Sequence, residues 1–195
     1  MGLTVTSGAR SDLAWRDLYV VERIEEIGTE WPESAARWSF VDPHSRVTFE
    51  TDQVVKIVGD RSVRAVAEPY GGERVSLRFP NTSDLQIPLK NKSKLVFWIK
   101  SINENVPAWQ NANPVVTLYA SSSKFTRFEP REDLLGSPPC NEARDGWTYI
   151  TVPLEGDKIR KREGEIIATV NSLTIGFDSW GTPPLKIWLD GLSVR

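Results

Sequence analysis

The segment Arg74-Val75-Ser76-Leu77-Arg78-Phe79 alternates apolar and polar residues with period two. Val75, Leu77 and Phe79 therefore share one face and Ser76 and Arg78 the other, as in a strand with one side buried. Working outward, the pattern recurs. Lys94-Leu95-Val96-Phe97-Trp98-Ile99-Lys100 is apolar on both faces, as a central strand is. Val115-Val116-Thr117-Leu118-Tyr119-Ala120 is short and β-branched, and Trp147-Thr148-Tyr149-Ile150-Thr151-Val152 alternates before stopping at Pro153. Ser172-Leu173-Thr174-Ile175-Gly176-Phe177 and Leu185-Lys186-Ile187-Trp188-Leu189 complete the strong series, with weaker runs at 36–41, 46–50, 54–58 and 62–67. About ten short antiparallel strands punctuated by turn residues predict an all-β sandwich of the jelly-roll kind with little helix. The thirteen prolines fall mainly between the runs, as strand pairing requires.

Two stretches read as connections. Residues 155–168 are charged and broken by glycine, consistent with a link carrying one helical turn, and residues 121–144 are rich in Ser, Pro and charge, consistent with a long excursion from one end of the sandwich. Ser11 to Glu26 has mixed periodicity and suits a capped turn. The chain of 195 residues carries neither repeats nor an internal linker, which predicts one domain, with residues 1–35 leading into a core over 36–195.

Composition narrows the chemistry. Twenty-four Lys and Arg balance twenty-six Asp and Glu for a net charge of −2, so no dominant positive field exists to hold nucleic acid. No run approaches the roughly 18 apolar residues of a membrane-spanning helix, and the first ten residues lack the basic-then-apolar order of a signal peptide. The expectation is a monomer with neither a nucleic-acid nor a membrane partner. Cys140 is the single cysteine, so no intrachain disulfide forms. It follows Ser137-Pro138-Pro139, and with His44 the single histidine it reads as an incidental loop thiol rather than a nucleophile. Phosphate-cradling, zinc-protease and nucleophile-elbow motifs are missing. Glu25-Glu26, Glu132-Asp133 and the Glu163/Glu165 pair read as solvated surface charge, and no catalytic residue is assigned.

Eight tryptophans against four tyrosines are the unusual count. Trp98 and Trp188 lie within apolar runs and read as core; Trp38 and Trp147 begin strands and could face either way. Trp31, Trp109 and Trp180 sit among Gly, Pro, Asn and Ser, on turns. A ring at such a place either caps the core or offers a platform on which the C–H face of a sugar stacks. Nearby Asn111, Asn113 and Asp178 would then bond the hydroxyls.

At this point the chain resembles the galactose-binding-like β-jelly-roll carbohydrate-binding modules. The resemblance spans about residues 36–195. It is carried by Ser172-Leu173-Thr174-Ile175-Gly176-Phe177-Asp178-Ser179-Trp180 with Lys186-Ile187-Trp188-Leu189-Asp190-Gly191-Leu192-Ser193-Val194, similar to the last two strands of that family. Val58-Gly59-Asp60-Arg61-Ser62-Val63-Arg64-Ala65, Leu95-Val96-Phe97-Trp98-Ile99-Lys100 and Gly146-Trp147-Thr148-Tyr149-Ile150-Thr151-Val152-Pro153-Leu154 are similar to its other strands, in the same order. The resemblance implies glycan binding without catalysis. It also implies a structural calcium held by Asp190 and by an acid near the first strand, here Glu22 or Glu25.

The function read from the chain is a non-catalytic module that recognises a polysaccharide or oligosaccharide, attached to a larger extracellular or periplasmic protein. Two surfaces offer themselves. One is a concave sheet face presenting Arg78, Lys100, Tyr119, Tyr149 and Trp98; the other is a loop edge carrying Trp109, Trp180, Asn111, Asn113 and Asp178, with Trp31 as a further platform. Arg78 and Lys100 hint at an acidic polymer. The alternatives are a protein-interaction jelly roll, which needs an exposed apolar patch, and a small polysaccharide lyase or hydrolase, which needs a clustered acid and base.

Overall fold

In the computed structural model, residues 34–42, 44–68, 75–103, 114–130, 146–155, 159–177 and 184–195 are described. A 3-10 turn over Ala35–Arg37 leads into β1 (Ser39–Phe40), β2 (Arg46–Asp52), β3 (Ser62–Glu68), β4 (Val75–Phe79), β5 (Ile87–Pro88) and β6 (Lys94–Asn103). There follow β7 (Pro114–Tyr119), β8 (Phe125–Pro130), β9 (Thr148–Pro153), β10 (Ile159–Gly164), β11 (Thr169–Val170), β12 (Ser172–Phe177) and β13 (Leu185–Val194). Three of these are two-residue strands and the other ten have five residues or more.

The strands pair antiparallel into a six-stranded sheet, β1-β4-β12-β7-β8-β10, and a five-stranded sheet, β2-β3-β13-β6-β9, with β11 and β5 as a separate ribbon. Alternation decides what lies between the sheets. Val75, Leu77, Phe79, Val116, Leu118, Phe128, Leu173 and Ile175 point inward from the first sheet. Val63, Ala65, Ala67, Leu95, Phe97, Ile99, Ile150, Val152, Leu185, Ile187 and Leu189 meet them from the second. Ile87 and Val170 of the ribbon join the same core. At roughly 25 cal/mol per Å² of apolar surface, this layer is the main favourable contribution to folding.

Three sequence expectations are corrected. Residues 54–58 form no strand, because the Asp52 carboxylate accepts the backbone N–H groups of Val54 (2.8 Å) and Val55 (2.9 Å) and turns the chain at the end of β2. Residues 155–168, read as a link, contain the strand β10, and residues 121–144, read as an excursion, contain β8. These two strands pair with each other, and β10 is the outer strand of its sheet. Charged residues on an edge blunt it against further pairing, which is why Ile159-Arg160-Lys161-Arg162-Glu163-Gly164 carries no strand-like apolar signal. Gly164 closes the pair at φ +92, where a Cβ would collide with the Phe125 carbonyl.

The tryptophans also redistribute. Trp38 is core, 5.1 Å from Phe79 and 6.4 Å from Phe49 between ring centroids. Trp147 is buried as well. Trp98 and Trp188, read as core, instead stand on the outer side of the five-stranded sheet, opposite in register to Asp190 and to Arg64 and Lys100 respectively. Their runs are apolar on both faces because the outer face of this sheet is covered too: Val58, Val96 and Ser193 are buried there.

Candidate functional site

Antiparallel pairing sets the outer face of the six-stranded sheet residue against residue. Arg78 lies opposite Thr174, Thr174 opposite Thr117, Thr117 opposite Arg127, and Arg127 opposite Glu163. A parallel row runs Ser76, Gly176, Val115, and another runs Ser172, Tyr119, Phe125. Small side chains therefore occupy the middle of the face and large ones its flanks. The result is a groove of about 470 Å³ lined by Val41, Ser76, Val115, Thr117, Tyr119, Arg127, Thr174 and Gly176. Thr117 is 3% and Thr174 4% exposed although both point away from the core, so the floor is recessed below its walls. A groove of this size suits a small ligand.

The walls are braced. Arg127 donates through Nε to the Thr117 hydroxyl (3.4 Å) and through Nη1 to Glu163 (3.2 Å), and its guanidinium lies 5.8 Å over the Phe125 ring. Arg78 donates to the Ser83 hydroxyl (2.6 Å) and, at 3.4 Å, to that of Ser172, and sits 5.9 Å over the Tyr119 ring. Tyr119 in turn packs against Phe125 at 6.1 Å. Floor hydroxyls that both donate and accept, one aromatic wall and the Arg127 guanidinium make a polar, one-sidedly aromatic slot, with the Arg78 guanidinium bordering it over the Tyr119 ring.

The single concave face expected from the sequence divides between two sheets. Arg78 and Tyr119 are on the six-stranded sheet, whereas Lys100, Tyr149 and Trp98 are on the five-stranded one and face the opposite side of the molecule. The reason is topological: β4 pairs with β12 while β6 pairs with β13, and alternation alone says nothing of which sheet a strand joins. On that second face Trp98 packs against Tyr149 at 4.9 Å, Lys100 lies beside Gly146, and Trp188 donates its indole N–H to Asp52 (2.9 Å) beneath the Arg64 guanidinium. Trp31, Trp109, Asn111, Asn113, Asp178 and Trp180 lie outside the described residues.

Thr117, Thr174, Gly176, Ser76, Val115 and Val41 were not singled out as site residues from the sequence. The outward halves of β4, β7 and β12 held a signal for the first five, since their inward partners were clear. Arg127 was hidden in the segment read as an excursion.

Asp190 is 2% exposed, and its Oδ2 accepts the backbone N–H groups of Ile57 (2.8 Å) and Val58 (2.9 Å). Among the described residues no group of three or more Asp, Glu, His or Cys side chains gathers as a metal site. Glu22 and Glu25 lie outside the described residues.

Three carboxyls are held below their ordinary value of 3.8. At Asp52 burial raises the pKa, but the Val55 N–H, the Trp188 indole, the Val54 N–H and the Arg64 charge together outweigh it. At Asp42 the Ser45 hydroxyl and the His44 N–H act, and at Asp84 the Arg37 guanidinium, in a two-point pair at 2.7 and 3.1 Å, and the Thr82 hydroxyl. A depressed carboxyl stabilises the fold above its unfolded pKa, and that contribution is lost as the pH falls through the folded value. Urea midpoints are therefore expected to hold steady down to about pH 5 and to drop below about pH 4. A midpoint unchanged at about pH 2 would remove these carboxylates from the stability of the fold.

No family model matches the chain, and no curated protein does. Solved structures do. A carbohydrate-binding module studied for the promiscuous specificity of its β-sandwich superfamily aligns with a TM-score of 0.52 at 11% identity, over 90% of this chain and 61% of that one. The family 11 carbohydrate-binding module of Clostridium thermocellum, in complex with a β-1,3-1,4-mixed-linked tetrasaccharide, aligns at 0.50 and 10% identity, over 85% and 92%. An arabinose-bound α-L-arabinofuranosidase aligns at 0.53 and 11% identity over 89% of this chain, which spans only 25% of that enzyme. Among the described residues no helix is long and apolar enough to cross a membrane. At these identities the likeness is one of fold: this chain has the β-sandwich jelly-roll architecture of carbohydrate-binding modules.

Proposed function

We propose that this domain binds a polysaccharide or oligosaccharide, without catalysis, in the groove on the outer face of the six-stranded sheet. The observation that carries the reading is the recessed floor of Thr117 and Thr174 beside the Tyr119 ring. Sugars are amphipathic: their C–H faces stack on an aromatic ring while their hydroxyls exchange hydrogen bonds with a polar floor. The solved family 11 module bound to a tetrasaccharide supports this by its shared fold. The described groove-lining residues are hydroxyl, aromatic, apolar and cationic, a lining suited to binding. Trp31, Trp109, Asn111, Asp178 and Trp180 remain candidates for extending the site along the loop edge, and Lys100 and Tyr149 for a contact on the opposite face. The reading places the domain in an extracellular or periplasmic protein, with calcium as a structural ion if Glu22 or Glu25 joins Asp190.

Affinity electrophoresis against a panel of plant and algal polysaccharides tests it. Tyr119→Ala is expected to weaken binding about tenfold, the roughly 1–1.5 kcal/mol that covering one face of the ring contributes. Full affinity in Tyr119→Ala combined with loss in Trp109→Ala or Trp180→Ala would move the site to the loop edge.

A further inference from the structure

We infer that the ligand of this groove is an anionic glycan, one carrying carboxylate groups such as uronic acids; this rests on the glycan reading of the same groove. Arg37, Arg64 and Arg127 each meet a carboxylate, Asp84, Glu50 and Glu163 in turn. Arg78 does not. Its partners among the described residues are the hydroxyls of Ser83 and Ser172, and its Nε is buried without a hydrogen-bond acceptor. A partly buried guanidinium without a counter-charge is unfavourable unless a ligand supplies one. Arg78 borders the groove rather than lining it: its guanidinium lies 5.9 Å over the Tyr119 ring, which is part of the lining, and it is opposite Thr174 of the floor in register.

Arg127 stands at the far side of the same cross-strand row, three strands away from Arg78. Three strand spacings of about 4.8 Å put the two roughly 14 Å apart, a span that a short oligosaccharide covers. Among the described residues, only Arg127 of this pair has its charge matched, by Glu163. The row from Arg78 to Glu163 thus carries two positive charges and one negative. A guanidinium presents its donors as a planar fork that fits a carboxylate at two points, a geometry that neutral hydroxyls do not exploit. Lys100, on the other sheet, takes no part.

The test uses the full chain with polygalacturonate, alginate and glucuronoxylan, each beside its methyl-esterified or carboxyl-reduced form, and with a neutral β-glucan. Calorimetry is expected to show at least one acidic polymer binding about tenfold or more tighter than its neutralised form. The gap should shrink as salt rises from about 0.02 to about 0.2 M. Arg78→Gln should erase the gap, and Arg78→Lys should restore part of it. Equal binding of acidic and neutralised polymers, or a gap unchanged in a folded Arg78→Gln, overturns the anionic ligand and leaves glycan binding standing. Binding to none of the polymers overturns the glycan reading and this inference together.

Discussion

Replacing Gly176 by isoleucine is expected to lower glycan affinity by about thirtyfold or more, roughly 2 kcal/mol, while leaving the fold intact. Gly176 sits in the floor of the groove between Ser76 and Val115, on the interior strand β12. Its side of the strand faces away from the core, so a branched side chain there rises into the ligand space without disturbing the packing of Leu173 and Ile175 beneath. A glycine inside a strand lacks a side chain to pack and costs about 0.5–1 kcal/mol relative to alanine. Isoleucine favours the strand, so the thermal midpoint should stay level or rise. Affinity retained in a folded Gly176→Ile protein would mean that the ligand does not use this face.

The second large effect concerns stability. Asp190→Ala is expected to cost about 2–4 kcal/mol, because two backbone N–H groups lose a charged acceptor inside the protein. The carboxylate ties β13 to the segment carrying Ile57 and Val58, and Val58 packs close to Gly191 and Trp98. Losing the tie should release that segment from the outer face of the five-stranded sheet. Asp190→Asn keeps one oxygen acceptor but loses the charge, and should fall between wild type and alanine. Denaturant midpoints with an unchanged slope measure the difference. The hydrogen-bonding role predicts the same loss in EDTA as in calcium. Stabilisation of the wild type by calcium, absent from Asp190→Ala, would instead make Asp190 a calcium ligand.

Much of the fold was legible. Val75, Leu77 and Phe79 were placed on one buried face by alternation, and Ser172–Phe177 was delimited to the residue. Legibility failed where a strand's environment removes the alternation. β10 is charged because it is an edge, and β8 was masked by the Ser- and Pro-rich residues around it. Trp98 and Trp188 misled for the opposite reason. A strand whose outer face is covered by another segment reads apolar on both sides, so Trp188 read as core and Trp98 as core or outward alike.

The site was half visible. Arg78 and Tyr119 were recognised as outward residues from the period of their own strands, a local property. That they meet across β12, that Arg127 joins their row, and that Lys100 and Tyr149 belong to the opposite face are not local. Leu77 pairs with Ile175 and Val63 with Leu189, contacts between residues 98 and 126 positions apart. The sequence alone determined which side of the alternating strands is buried, because a side chain's burial there follows from a two-residue period and its own hydrophobicity. Only the tertiary structure decided which outward residues share a groove, because strand order within a sheet is set by long-range pairing to which that period is blind.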